Sequence, residues 1–242
     1  MYANRKTMLM NDYKLPQKYD IERLKIDLEN CKKKDWLLHF NQNDYTGKWS
    51  SFALRSISGS ELDILATPNA TFQDTPTLSK CLYFKEIVDS FLCKKEAIRL
   101  LSLCPNSYIK EHTDLDGGYE DGFFRIHVPI QTNDKVIFTV NKKALHMREG
   151  ECWYANFNLP HFVSNDGETD RIHLVIDCIR NDWSDQLFAT FGYNFEEEKK
   201  SKYNQQTKMM MIEQLSLMKT QMADNLIKQL QEELAGIKFI SL

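Results

Sequence analysis

Between residues 97 and 178 the chain breaks into short runs rich in β-branched and aromatic residues, and this pattern constrains the fold more than any other feature. The runs are AIRLLSL, FFRIHVPI, KVIFTV, ECWYANF, HFVSN and DRIHLVIDC. Between them lie CPNS, TDLDGGYEDG, QTND and NDGETD, pieces built from the residues that turn a chain. Several short strands at this spacing predict an antiparallel sandwich or barrel.

The flanks read differently. Residues 1–18 form an irregular lead-in punctuated by Pro16, and YDIERLKIDLENCKKK (19–34) has the apolar spacing of an amphipathic helix. SFALRSIS (51–58) alternates as a strand closed by Gly59, 66–77 is loop chemistry, and LSKCLYFKEIVDSFL (78–92) is helical again. From 182 onward the pattern is helical. Ile212, Leu215, Met218, Met222, Leu226, Leu230 and Leu234 make a stripe over 209–234 that suits a face packed on the β core or on a second copy. The expectation is a mainly β chain with flanking helices: a β domain with N-terminal helical elements over 1–180, and a C-terminal helical extension over 181–242 that could support a homodimer.

Composition narrows the function classes. With 42% hydrophobic and 12% aromatic residues the chain can furnish a sizeable core. A net charge of -3 without a long basic run argues against nucleic acid as the main partner. No apolar stretch approaches the roughly 18 residues that span a bilayer. MYANRKTMLMNDYK lacks the apolar region of a secretory signal, and the six cysteines are scattered without a CxxC pair, so reduced thiols in the cytoplasm are expected.

Three segments of the β region hold the polar residues of interest. His112 and Asp114 flank Thr113 ahead of the pair Gly117 and Gly118; on a strand they would share a face, and in a loop they would be an ordinary polar turn. Arg125 and His127 share a face of FFRIHVPI. His161 precedes the turn NDGET, after which Arg171 returns on a neighbouring strand. Two histidines and one aspartate can hold Fe(II) on one side and leave sites open, and a chelating 2-oxo acid could take two of them. Its far carboxylate would need a fixed cation, and the fork of Arg171 suits that. By residue chemistry alone, this is a metal site beside an anion clamp. His173 suits a hydrogen-bonding role on its strand, Trp153 and Tyr154 suit the core, and His39 and His146 have no partner pattern.

Taken in order, HTD (112–114), RIHVPI (125–130) and GECWYANFNLPHFVSNDGETDRIHLVID (150–177) resemble the aspartyl/asparaginyl β-hydroxylase family of Fe(II)- and 2-oxoglutarate-dependent oxygenases, which includes proline 3-hydroxylase-like enzymes. The resemblance covers residues 97–180. It implies a double-stranded β-helix, or jelly roll, with His112, Asp114 and His161 as iron ligands. It further implies that Arg171 binds the 5-carboxylate of 2-oxoglutarate, that Arg125 and His127 line the co-substrate pocket, and that O₂ is consumed. The vertebrate aspartyl β-hydroxylases lack the carboxylate ligand, whereas this chain has Asp114. Where they place a serine near 2-oxoglutarate, this chain has Leu101, with Ser102 one step out of phase.

The resemblance is therefore closer to hydroxylases of small molecules. It implies hydroxylation of an unactivated C–H of a free or carrier-linked amino acid. The alternatives are a cytosolic protein-residue hydroxylase and a non-catalytic jelly-roll module that senses a metal or anion. An amino-acid substrate brings its own carboxylate, and strand alternation puts Arg55 between Ala53 and Ile57 on one face, which makes Arg55 the candidate to bind it.

Overall fold

The computed structural model describes residues 10–67, 70–201 and 205–234. Along the chain, strand β1 (Asp12–Lys18) precedes helix α1 (Ile21–Lys32). Short strands β2 (Leu37–Leu38) and β3 (Tyr45–Thr46) then lead to β4 (Trp49–Ser56), β5 (Gln73–Asp74) and helix α2 (Leu82–Ser90). The β-rich region supplies β6 (Lys95–Leu103), β7 (Ser107–His112), β8 (Phe123–Gln131), β9 (Val136–Val140), β10 (Lys143–Ala144), β11 (Glu151–Ala155), β12 (His161–Asn165) and β13 (Arg171–Ile179). Helix α3 (Asp182–Thr190) follows, and Met10–Tyr193 form one compact unit.

The strands make two antiparallel sheets. One runs β1-β11-β8-β13-β6-β4-β2, with β5 added on β4; the other runs β10-β9-β12-β7-β3. Leu101, Leu103 and Val175 from the larger sheet meet Ile109, Phe138, Val140 and Val163 from the smaller one in a shared apolar cluster. This is the sandwich that the strand spacing predicts, each strand turning its apolar positions toward the facing sheet.

The lead-in is more ordered than its sequence suggests. Asp12–Leu15 pair with Cys152–Ala155, and the register breaks between Leu15 and Lys18, around Pro16. Proline has no N–H for a ladder, and β1 is an edge strand, where that lack is tolerated. Residues 1–9 of the lead-in lie outside the described residues. Helix α1 begins where Asp20 caps it, its carboxylate accepting from the N–H groups of Glu22 and Arg23.

The boundary expected at 180/181 falls later. Helix α3 belongs with the β unit because Phe188 is fully buried and stacks on the Tyr119 ring at 3.7 Å. Beyond it, α4 (Phe195–Ser201), α5 (Gln205–Ser216) and α6 (Gln221–Leu234) fall in a separate unit. The single stripe expected over 209–234 is split between α5 and α6, with Lys219 in the left-handed region at φ 48°. Met209, Met210, Met218 and Met222 are exposed. Among the described residues no helix is long and apolar enough to cross a membrane.

Phe188→Ala is expected to destabilise the β unit by about 3–5 kcal/mol, the range for emptying a buried aromatic site. The urea midpoint checks it; a helix merely appended to the β unit would leave the midpoint unchanged.

Candidate active site

The two-sheet core is hollow at one end. A cavity of about 680 Å³ is lined by side chains of both sheets and of the loop after β7. His112 is the last residue of β7, so HTD is half strand and half loop. His161 opens β12 directly opposite it in the ladder, and the two rings lie 4.2 Å apart. Asp114 reaches the same point from the loop, held there because its N–H donates to Phe157 O at 2.9 Å. Gly117 permits this tight return: a Cβ on it would sit 3.0 Å from the Cβ atoms of both Asp114 and Phe157.

One ligand atom from each of His112, Asp114 and His161 lies within 4.8 Å of the others. Both imidazoles are fixed in the tautomer a metal needs. His112 Nδ1 donates to Lys110 O at 2.8 Å and His161 Nδ1 donates to Leu159 O at 2.9 Å, so each proton sits on Nδ1 and each Nε2 carries a free lone pair. Burial pushes the pKa of His161 down, which keeps it neutral. Two imidazoles and a carboxylate fit a divalent metal of the iron type with sites left open.

Behind the triad lies a buried ion network. Asp177 accepts from Arg125 Nε at 2.6 Å and from Arg99 Nη2 at 2.8 Å, and Arg125 Nη1 donates to Asp114 Oδ2 at 3.0 Å. Burial alone would raise the Asp177 pKa, but Arg125 and Arg99 outweigh it and hold the carboxyl below its usual range. For Arg125, burial opposes the charge, and Asp177 with Asp114 more than restores it. Arg125 lines the cavity, and its guanidinium is taken up in holding Asp177 and the carboxylate of the triad.

Arg171 has the opposite character. It is buried at the start of β13, with the Phe138 ring 5.5 Å from its guanidinium carbon. Among the described residues it has no carboxylate partner, and its Nε bonds to nothing. Burial drives its pKa down to about 9. Its Nη2 donates to His173 Nδ1 at 2.9 Å, and that atom also lies 3.3 Å from His127 Nδ1. His127 Nε2 is buried, has no partner among the described residues and belongs to a ring that lines the cavity. Arg171 is a cation placed for an anion.

A model of the aspartyl/asparaginyl β-hydroxylase family matches residues 18–181. The chain belongs to that family. L-proline cis-4-hydroxylase from Rhizobium meliloti (strain 1021) is 31% identical over 164 residues, which is 66% of this chain and 58% of that relative. The match thus spans little more than half of the relative's length. An oxidoreductase of the 2OG-Fe(II) oxygenase family from Burkholderia pseudomallei superposes with a TM-score of 0.51 at 12% identity, covering 71% of this chain and 86% of that one. That likeness supports the jelly-roll fold of this β-hydroxylase family member.

Arg55 does not reach the site. Its guanidinium pairs with Asp74 and donates to Phe72 O at 2.8 Å. A bulge between Ala53 and Arg55 sets Ala53 opposite Arg99 but Arg55 opposite Ile98, so the simple alternation that aimed Arg55 at the substrate fails at that point. Besides Arg125 and Arg171, the arginine that lines the cavity is Arg99, not Arg55. Its signal in the sequence was a charged residue within the otherwise apolar run AIRLLSL, matched by Asp177 within DRIHLVIDC.

Asp177→Asn is expected to cost about 3–5 kcal/mol at neutral pH, because it takes the carboxylate from buried Arg99 and leaves Arg125 with Asp114 alone. Since the folded pKa of Asp177 is depressed, its contribution is fully present above the unfolded carboxylate value of about 3.9 and is lost as pH falls through the lower folded value. Denaturant midpoints of parent and variant should therefore converge in that acid range. A gap that stays constant with pH would contradict the ion network.

Proposed function

We propose that this chain is an Fe(II)- and 2-oxoglutarate-dependent hydroxylase acting on an unactivated C–H of an amino acid, free or carrier-linked. The observation that carries the proposal is the pairing of a tautomer-fixed His–Asp–His set with a buried arginine that lacks an anion. Iron with 2-oxoglutarate and O₂ supplies the oxidising chemistry, whose co-products are succinate and CO₂.

The protein's share is placement and exclusion of water. His112, His161 and Asp114 would hold the metal, and Arg125, donating to Asp114 Oδ2, holds that carboxylate in place. Arg171 binds the far carboxylate of 2-oxoglutarate between His173 and the Phe138 ring, where a guanidinium–carboxylate pair is strong. His127 borders the same co-substrate. Arg99 takes the role first given to Arg55. It lines the cavity, is buried, and keeps Nε without a partner among the described residues, a donor suited to the substrate carboxylate. The aromatic rings of Phe138 and Phe157 keep the chamber apolar around these charges. The kinship with an L-proline hydroxylase favours an amino-acid substrate.

A sensor that merely binds a metal or an anion would not turn over 2-oxoglutarate. The first test is succinate release by the protein with Fe(II), 2-oxoglutarate and candidate amino acids, with a gain of one oxygen read by mass spectrometry. His112→Ala, His161→Ala and Asp114→Ala should each abolish both signals while the circular dichroism spectrum stays that of the parent. Absence of succinate under every condition would favour the sensor.

Arg171→Leu should raise the 2-oxoglutarate requirement roughly thirty- to several-thousandfold, the equivalent of about 2–5 kcal/mol for a buried charge pair. The iron requirement should move far less. An unchanged KM for 2-oxoglutarate would remove Arg171 from this role.

A further inference from the structure

A second cavity, of about 230 Å³, lies at the other end of the sandwich from the triad. Its lining comes from the turn after β8, from Val136 and Phe138 on β9, from the segment after β10, and from Arg171 and His173 on β13. The ladder register fixes its position. His161 on β12 faces Val140 on β9, and Asn165 faces Val136. Asn165 Nδ2 also donates at 2.9 Å to the carbonyl of Leu103, the residue paired with Arg171. Val136 and Arg171 therefore stand four residues from the level of His161, about 13 Å along the strands.

A thin partition separates this far cavity from the chamber at the triad. Arg171 and Phe138 line both. His173 lines the far cavity and His127 the near chamber, and their Nδ1 atoms are 3.3 Å apart. The charges on the two sides differ. Six carboxylates line the near chamber against three guanidinium groups, an excess that a divalent metal offsets only in part. Two of them, Asp44 and Asp121, are bonded to amide N–H groups rather than to cations, and a third, Asp116, is exposed. At the far cavity Glu149 is neutralised by Lys25 at 2.9 Å, which leaves Asp134 against the guanidinium groups of Arg148 and Arg171. Arg148 is exposed there and has no ion pair among the described residues.

We infer that the far cavity is the entrance through which a dicarboxylate anion, 2-oxoglutarate inward and succinate outward, reaches and leaves Arg171. This rests on the 2-oxoglutarate reading of the site and goes beyond it by assigning the route. A dianion that approaches through the near chamber meets an excess of carboxylates, whereas Arg148 and then Arg171 attract it from the other side. Bound with its far carboxylate on Arg171, the co-substrate has that end at the partition, so the shortest way out leads through the far cavity. Passage requires rotation of the Phe138 and Arg171 side chains. The near chamber is left to the amino acid, whose ammonium group suits an acidic lining, and the dianion can exchange while that chamber is filled.

Anaerobic stopped-flow mixing of the Fe(II)-loaded protein with 2-oxoglutarate reads the route, because chelation of Fe(II) by a 2-oxo acid gives a visible charge-transfer absorption. Thr132→Trp puts a large ring into the far cavity, and the hydrogen bond from Thr132 to Glu149 survives because the backbone N–H makes it. Association and dissociation should both slow roughly tenfold with the affinity unchanged, whereas damage to the site itself would change the affinity. Arg148→Glu should slow association roughly three- to tenfold at low salt, and the difference should shrink as salt is added. Asp116→Asn removes a charge from the near chamber, and asparagine tolerates the left-handed backbone there at φ 54°; the loading rate should stay that of the parent. Thermal midpoints confirm that the three variants are folded. An association rate untouched by Thr132→Trp and Arg148→Glu, or raised by Asp116→Asn, would show that the dianion enters beside the triad, and would overturn the far entrance while leaving the role of Arg171 intact. Absence of the absorption in the parent would overturn the 2-oxoglutarate reading and the entrance with it.

Discussion

A single buried carboxylate, Asp177, organises the functional end of this molecule. Two arginines from neighbouring strands of one sheet, Arg99 on β6 and Arg125 on β8, converge on it from either side of β13. Burying three charges is expensive, and it is tolerated because each guanidinium has the carboxylate within hydrogen-bond range. The arrangement also reaches outward. Arg125 Nη1 donates to Asp114, so the position of the triad's carboxylate depends on an ion network in the sheet behind it. The loop carrying Asp114 is thereby tied at two points, by a backbone hydrogen bond to Phe157 and by Arg125.

The imidazoles follow a parallel logic with cheaper materials. Each histidine donates from Nδ1 to the carbonyl two residues earlier in its own chain, so the correct tautomer is a local property of the backbone. Bringing the two rings together is a property of the ladder between β7 and β12, in which His112 and His161 are direct partners. Around them the charges divide into two kinds. Arg99 and Arg125 are neutralised by resident carboxylates, while Arg171 is held by an imidazole and an aromatic face with no counter-charge among the described residues. That difference separates the arginines of the resident ion network from the one whose charge has no resident carboxylate.

Much of this was legible along the chain. The six runs between 97 and 178 correspond closely to β6, β8, β9, β11, β12 and β13, because β-branched and aromatic segments bounded by turn residues carry a local signal, whereas β7, the polar SYIKEH, and the two-residue β10 are not among them. The His–x–Asp spacing, the later histidine and Arg171 were all readable as a metal site with an anion clamp. Strand β1 was missed because an edge strand containing Pro16 has little of that signal. Helix α3 was assigned to the wrong unit because nothing local announces that Phe188 stacks on Tyr119, more than sixty residues earlier.

The sequence by itself determined the fold class, the family resemblance and the residue types of the His–Asp–His set, since these rest on local patterns and on the order of motifs. Tertiary structure alone decided which arginines meet which carboxylates. Alternation placed Arg55 on the face with Ala53, but one extra residue in the bulge reverses every side chain beyond it, and no local pattern reveals where a bulge falls. The same holds for His39, which has no motif around it. It is kept neutral by burial, with the charges of Arg99 and Arg125 adding to that, and the Asn41 amide faces its Nδ1, an environment assembled only when the sheets close.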